Sequence, residues 1–351
     1  MAILALAVSS AHLEDGKIVP PGGIIDAGTL RYATTITLAR RLHDSLQHTS
    51  TICRKPLQLP LIHHVRSSFR KTLGGNEELL EKKPKKPTKP KCPTNAPTLI
   101  PRIRRQVAAF NLDTSPAGLT FTIPAGAELL TIIAQGGSGG EYIGAVAPTA
   151  VRGGLGGFVH ATFRVTRAGS SDPGLKGGEV LTIAVGGEAD GITAGINGGG
   201  LGSLGRGGGG GGFTSVRRLN NDLLVIAGGG GGAATPDSPG GAGGGPEGAA
   251  GGTQDEDGRG GTQMTGGSGG SVGLSVGQAG SGLKGGDGVV GGGGGGGGGY
   301  YGGGGGARNS VTGSFGSGGG GSSFVSSLQF EPPINLRGII YGNGLAIIIA
   351  E

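Results

Sequence analysis

Tryptophan is absent from this chain of 351 residues, cysteine and methionine occur twice each, and only 4% of the residues are aromatic. Each scarcity excludes something. Cys53 and Cys92 stand alone, with no CxxC and no Cys/His spacing of the kind a structural zinc site needs, so no metal is expected. The two can pair in an oxidising compartment, or remain as unpaired thiols. No apolar run reaches the length of about 18 residues that a membrane-spanning helix requires. The phosphate-cradling pattern G-x-x-x-x-G-K-[ST] is missing too, because Lys284 is followed by Gly285. His160 has no Ser or Asp partner that the sequence singles out, and no nucleophile motif occurs. The chain is therefore expected to be non-enzymatic and to need no cofactor. Three Arg-Gly-Gly sites (Arg152, Arg206, Arg259) are isolated from one another and from aromatic residues. With no aromatic strand to stack bases, nucleic acid is not an expected partner.

What is present is glycine, 86 residues of it, against a usual share of about 7%. Residues 1–105 hold 6 of these and residues 106–351 hold 80. Charge divides at the same point: net +11 before it and −5 after it, for +6 overall. The basicity belongs to the N-terminal part and says nothing about the glycine-rich part. Three regions follow: an N-terminal segment (1–80), a linker (81–105) and a glycine-rich domain (106–351).

Met1–Val8 (MAILALAV) followed by Ser9-Ser10-Ala11 resembles the apolar core and small-residue cleavage region of a secretory signal, although it lacks a basic start. On that reading the protein is extracellular or at the cell surface. The rest of 1–80 is expected to be mostly irregular, with one candidate helix over Leu30–Leu46 and a surface pair His63-His64. Glu81–Pro101 is rich in Pro and Lys; fixed φ, missing donors and mutual repulsion make it an extended, solvated linker. It ends in Arg102-Ile103-Arg104-Arg105. The tetrad reads either as a furin-type processing site at Arg102, Arg104 and Arg105 or as a cluster of charge closing the linker.

After Phe110 the pattern is that of a mainly β protein. Leu119–Ile123, Leu129–Ala134, Gly157–Val165, Glu179–Val185, Phe213–Arg217, Leu223–Ala227, Ser323–Leu328 and Leu345–Ile349 are short, β-branched and bounded by turns. That is the mark of a sandwich or barrel. Between Gly228 and Gly321 apolar side chains nearly vanish. Nine glycines, Gly291–Gly299, precede Tyr300-Tyr301, and five more follow. Collagen is excluded, since there is no G-X-Y register. Two states remain: a flexible tether, or a bundle of glycine helices of the polyproline II form, three residues per turn, hydrogen-bonded to one another. Bracketing strands, scarce Ser and the Tyr pair favour the bundle. The acidic run Asp255-Glu256-Asp257 lacks the spacing of a calcium loop and is expected to be a solvated turn.

FTIPAG (Phe121–Gly126), GGGGGGFTSVRR (Gly207–Arg218), LLVIAGGGGG (Leu223–Gly232), the Gly291–Gly306 tract and GGGGSSFV (Gly318–Val325) together resemble the glycine-rich extracellular domain of anaplastic lymphoma kinase and leukocyte tyrosine kinase. Related secreted glycine-rich proteins share it. The resemblance covers about residues 110–351. It implies a β-sandwich like that of tumour necrosis factor (a jelly roll) carrying an inserted bundle of polyglycine helices. The cysteines that brace the receptor domain are missing here, as are a transmembrane and a kinase segment, so receptor signalling is not implied. The expected function is a structural or binding module that presents a rigid surface to a protein or glycan partner. Two alternatives stand beside it: a self-associating cell-wall or matrix protein, and an ice-binding protein.

Overall fold

The computed structural model describes residues 105–112, 119–142, 151–204, 207–234 and 238–351, with the backbone alone of 12–14 and 17–19. The chain divides into two compact units, Met1–Lys91 and Cys92–Glu351. In the first, β1 (His12–Glu14) and β2 (Lys17–Val19) pair antiparallel. The candidate helix over Leu30–Leu46, His63-His64, both cysteines, the linker, Arg102 and Arg104 lie outside the described residues.

In the second unit the strands are β3 (Gln106–Phe110), β4 (Leu119–Thr122), β5 (Leu129–Gln135), β6 (Gly156–Thr166), β7 (Leu175–Lys176), β8 (Val180–Ala184), β9 (Thr214–Arg218), β10 (Leu223–Ala227), β11 (Ser271–Val272), β12 (Ser275–Val276), β13 (Phe324–Val325), β14 (Ile334–Ile340) and β15 (Leu345–Ala350). No helix occurs among the described residues. Five strands form one sheet in the order β13-β10-β9-β8-β4, and five more are joined in the second along β14-β6-β5-β15-β3, where β7 runs beside β6 in parallel. Every other pairing is antiparallel. No described helix is long and apolar enough to cross a membrane.

Alternation explains where the core lies. Phe121, Leu181, Ile183, Val216 and Leu224 from the first sheet join Leu130, Ile132, Val159, Phe163 and Ile348 from the second in one buried cluster. β5 and β15 are buried on their other faces as well, at Ile133, Ile347 and Ile349. This is why LLTIIA and LAIIIA read as continuous apolar runs rather than alternating ones. A bidentate ion pair ties β9 to the turn before β8: the Arg218 guanidinium donates to both carboxylate oxygens of Glu179.

All eight strand candidates correspond to strands, although Ser323–Leu328 shortens to the two residues of β13. Two longer strands carried no clear signal. β3 is weakly apolar and sits at a sheet edge. In β14 (INLRGII) Arg and Gly interrupt the alternation, and Gly338 takes φ +63° at a register shift.

Candidate functional site

Six strands do not stop at the sheets. β5 runs on into residues 136–140, β8 into 185–191 and β10 into 228–234. Residues 153–155 lead into β6, 207–213 into β9 and 318–323 into β13. These glycine segments leave the sheets together, and the tracts from 240 to 307 fill in among them. The glycine region thus begins at Gly136, far upstream of the Gly228 boundary expected from composition.

Its amides follow a rule of three. Gly208 and Gly211 donate to the carbonyls of Ala233 and Gly230, Gly209 and Gly212 to those of Gly191 and Gly187, and Gly210 and Phe213 to those of Gly200 and Asn197. All six bonds are 2.7–2.8 Å long. The nine-glycine tract does the same. Gly294 and Gly297 donate to Gly316 and Gly319, Gly295 and Gly298 to Gly208 and Gly211, and Gly296 to Gly286. After Tyr300-Tyr301 the chain returns antiparallel: Gly303 and Gly306 bond to Gly297 and Gly294, Gly304 and Ala307 to Arg259 and Glu256, Gly302 and Gly305 to Ser281 and Gln278. Each of these three segments thus donates to three neighbours in rotation, advancing one neighbour per residue. Tyr300 packs in the turn, its ring stacked 4.5 Å from that of Phe324.

Glycine is required by the approach of these backbones. A Cβ at Gly296 would lie 2.1 Å from the Gly303 oxygen, one at Gly318 2.0 Å from Gly295 oxygen, and one at Gly232 1.9 Å from Gly208 oxygen. No side-chain movement relieves such a clash, since the obstructing atoms are main chain. Segment ends are closed by hydroxyls. Ser203 Oγ accepts from the amides of Gly291 and Gly292, Ser317 Oγ from Ala234, Ser322 Oγ from Tyr301 and Ser323 Oγ from Gly228. These serines are buried, and composition gave no sign of their role beyond the SSF motif that contains two of them.

At the end remote from the sheets the segments are joined by loops, and a cleft of about 840 Å³ opens there. Its lining includes Tyr142, Ser238, Gln254, Asn309, Thr312 and Phe315, with a floor of glycine backbone at 240–241 and 251–252. Glu256 and Asp257 of the acidic run line it as well, and here the expectation of a solvated turn is overturned for two of its three residues. Glu256 and Asp257 are buried, Asp257 at 1% exposure. Asp257 Oδ1 accepts from the Ser317 amide at 2.9 Å and the Ser238 hydroxyl at 3.0 Å, and Oδ2 from the Gln254 amide at 2.9 Å. Glu256 accepts from the Ser314 hydroxyl. A carboxylate is tolerated in such a place because buried amides with no partner of their own face it. Among the described residues no group of three or more His, Cys, Asp or Glu side chains is placed to hold a metal ion.

Of the tetrad, Arg105 alone is described. It is exposed at the start of β3, and its Nε lies 3.0 Å from the Glu351 carboxylate. Arg152 and Arg259 are apart from one another: Arg152 stacks over Tyr341 at 4.8 Å, while Arg259 lends its backbone to the glycine network. No protein-family model matches the chain, and no curated protein matches it.

Two predictions follow from this geometry. Gly296→Ala should destabilise the domain by at least ~1–3 kcal/mol through backbone displacement, whereas Gly282→Ala, where a Cβ meets nothing within 4 Å, should be neutral or stabilising by up to ~1 kcal/mol; equilibrium urea unfolding of the two variants decides. Asp257→Ala, which strips partners from the buried Ser317 amide and the part-buried Gln254 amide, should cost about 1–3 kcal/mol in the same measurement, and a loss below ~0.5 kcal/mol would mean the carboxylate is dispensable.

Proposed function

We propose that the second unit is a non-enzymatic binding module, secreted or held at the cell surface, that works by rigid presentation of a surface to a protein or glycan partner. In this reading the two sheets with a shared core form a β-sandwich, and the glycine segments are polyproline II-type helices packed side by side. The observation that carries it is the three-residue rotation of amide partners. A helix with three residues per turn points successive N–H groups about 120° apart, which is the pattern needed to bond three neighbours in turn. Crosslinked in this way, the segments form a body that resists bending without needing a side-chain core, and the loops at the remote end are held at fixed positions. The sequence resemblance to the glycine-rich extracellular domain of anaplastic lymphoma kinase and leukocyte tyrosine kinase supports the same architecture. It also supports an extracellular setting.

Amide hydrogen exchange on the full chain, resolved across Gly228–Gly321, tests the reading. Protection of the Gly291–Gly299 and Gly302–Gly306 amides comparable to that of β5 and β15 is expected. Exchange of those amides at random-coil rates would reduce the glycine tracts to tethers and remove the basis for rigid presentation.

A further inference from the structure

We propose that the end of the second unit remote from the sheets inserts into the surface of a lipid bilayer through four aliphatic turn tips. The proposal rests on the reading of this unit as a rigid module at the cell surface, and it says what holds the module there. Among the described residues, five large apolar side chains are more than three-quarters exposed. Four of them, Leu204, Leu274, Val290 and Val311 at 78%, 104%, 88% and 91%, stand one on each of four turns at this end. The fifth, Met264, is on a turn beside Ser323, near the sheets. One exposed aliphatic side chain needs no explanation, but a group gathered at one end does. The turns themselves do not call for these residues. Gly273 at φ +57° and Gly313 at φ +73° make two of the reversals, and small polar residues serve the remaining turn positions as well as Leu or Val.

Hydrogen bonds set the four turns side by side and at one level. Ser203 Oγ accepts from the Gly291 and Gly292 amides, which joins the Leu204 turn to the Val290 turn. The Val289 amide donates to Gly306, at the foot of the Val311 turn, and the Arg308 amide donates to Ser275 Oγ in the Leu274 turn. The segments that carry the turns are bonded to one another at their last residues. Ser203 donates to Gly293, Gly294 to Gly316, Gly306 to Gly294, Gly270 to Gly305 and Gly277 to Gly270. The tips therefore rise from a common level and can meet one plane together.

Two features select a bilayer as that plane. The tips sit on separate turns with Gly, Ser and Thr between them. A protein partner would need four pockets at matching spacing, whereas fluid hydrocarbon accepts each tip without matching. Charge is also sparse: residues 201–207, 271–277, 287–292 and 308–316 hold only Arg206, Asp287 and Arg308 as ionisable groups. The tips themselves carry none, so their entry takes no charge out of water. Apolar side chains of this kind reach about 5–10 Å into the boundary between headgroups and acyl chains, which leaves the hydroxyls beside them at the headgroups. With two cations against one anion, these turns attract anionic lipid only weakly, and the insertion is apolar rather than electrostatic.

The experiment is flotation and fluorescence of the full chain with phosphatidylcholine vesicles, which are neutral, so the basic residues 1–105 find no anionic lipid to bind. The chain has no Trp, and Leu274→Trp therefore supplies a single fluorophore at one tip. Co-flotation that survives added salt is expected, with a blue shift of that variant's emission and its quenching by brominated acyl chains. Val290→Asp combined with Val311→Asp should lower the partition coefficient at least about tenfold. The melting temperature should not change, because both side chains are already exposed in the free protein. Absence of flotation and shift, flotation of the double variant equal to the parent's, or flotation that needs phosphatidylserine and is lost in salt would each overturn the proposal. So would a lipid-free dimer that the double variant abolishes, since the tips would then belong to contacts with a second copy. If the glycine amides are protected from exchange and no neutral vesicle binds, the rigid module stands and only the membrane assignment fails. Random-coil exchange would remove the module itself, and with it the fixed row of tips.

Discussion

Everything in the second unit depends on hydrogen bonds between glycine backbones brought too close for any Cβ. The bond itself is weak support. Ordering a glycine costs roughly 1–2 kcal/mol of backbone entropy, while a buried amide–carbonyl bond contributes about 0.5–1.5 kcal/mol net. A lattice of such bonds has little margin on its own. It becomes tenable because β5, β6, β8, β9, β10 and β13 continue directly into it, so the apolar core that fixes the strands also fixes the starting point and direction of each segment. Once those ends are set, the remaining tracts add to an ordered template rather than closing loops from a free chain.

The rule of three also accounts for where glycine is pure and where it is mixed. Segments surrounded on all sides, such as 207–212, 228–232, 292–299 and 302–306, are unbroken glycine and wholly buried. Segments on the outside bury one residue in three and can carry side chains between the buried glycines. Arg259 between Gly258 and Gly261, Ser268 between Gly267 and Gly270, and Gln278 after Gly277 are exposed while those flanking glycines, Gly258, Gly261, Gly267, Gly270 and Gly277, are buried. The mixed, Ser- and charge-bearing stretches that resemble linker are therefore the rim of the same body.

This explains what the sequence let one read and what it hid. Strands were legible because β-branched runs end in turns, and the inner tracts were legible because nothing but glycine fits them. Residues 186–203 were not recognised as part of the network: Glu188, Ile192, Ile196 and Leu201 break the glycine pattern at positions that face outward or into loops. The acidic run was misread for a different reason. Burial of Asp257 depends on the Ser317 amide, 60 residues later, and on Ser238, 19 residues earlier. No local pattern encodes a partnership at that separation. The cleft is hidden in the same way, since Tyr142, Ser238, Gln254 and the Asn309–Phe315 turn come from different loops that meet only because the segments carrying them are neighbours.

A body held by main-chain bonds separates two constraints that ordinary cores combine. In a packed apolar core, changing a surface loop disturbs side chains beneath it, and so the loops and the core are limited together. Here the glycine tracts pack through main chain with few side chains between them, and their chief demand on the sequence is that certain positions be glycine. The loops between segments are free of that demand beyond their closing serines and the Glu256–Asp257 pair. Side chains with chemical character are accordingly gathered in those loops: the described residues of the interior tracts offer a ligand almost nothing but amide groups that are already bonded to one another. On the binding-module reading, recognition falls to the sheet surfaces or the loop-bearing end, where the loops combine a cleft with hydroxyls that donate to buried carboxylates.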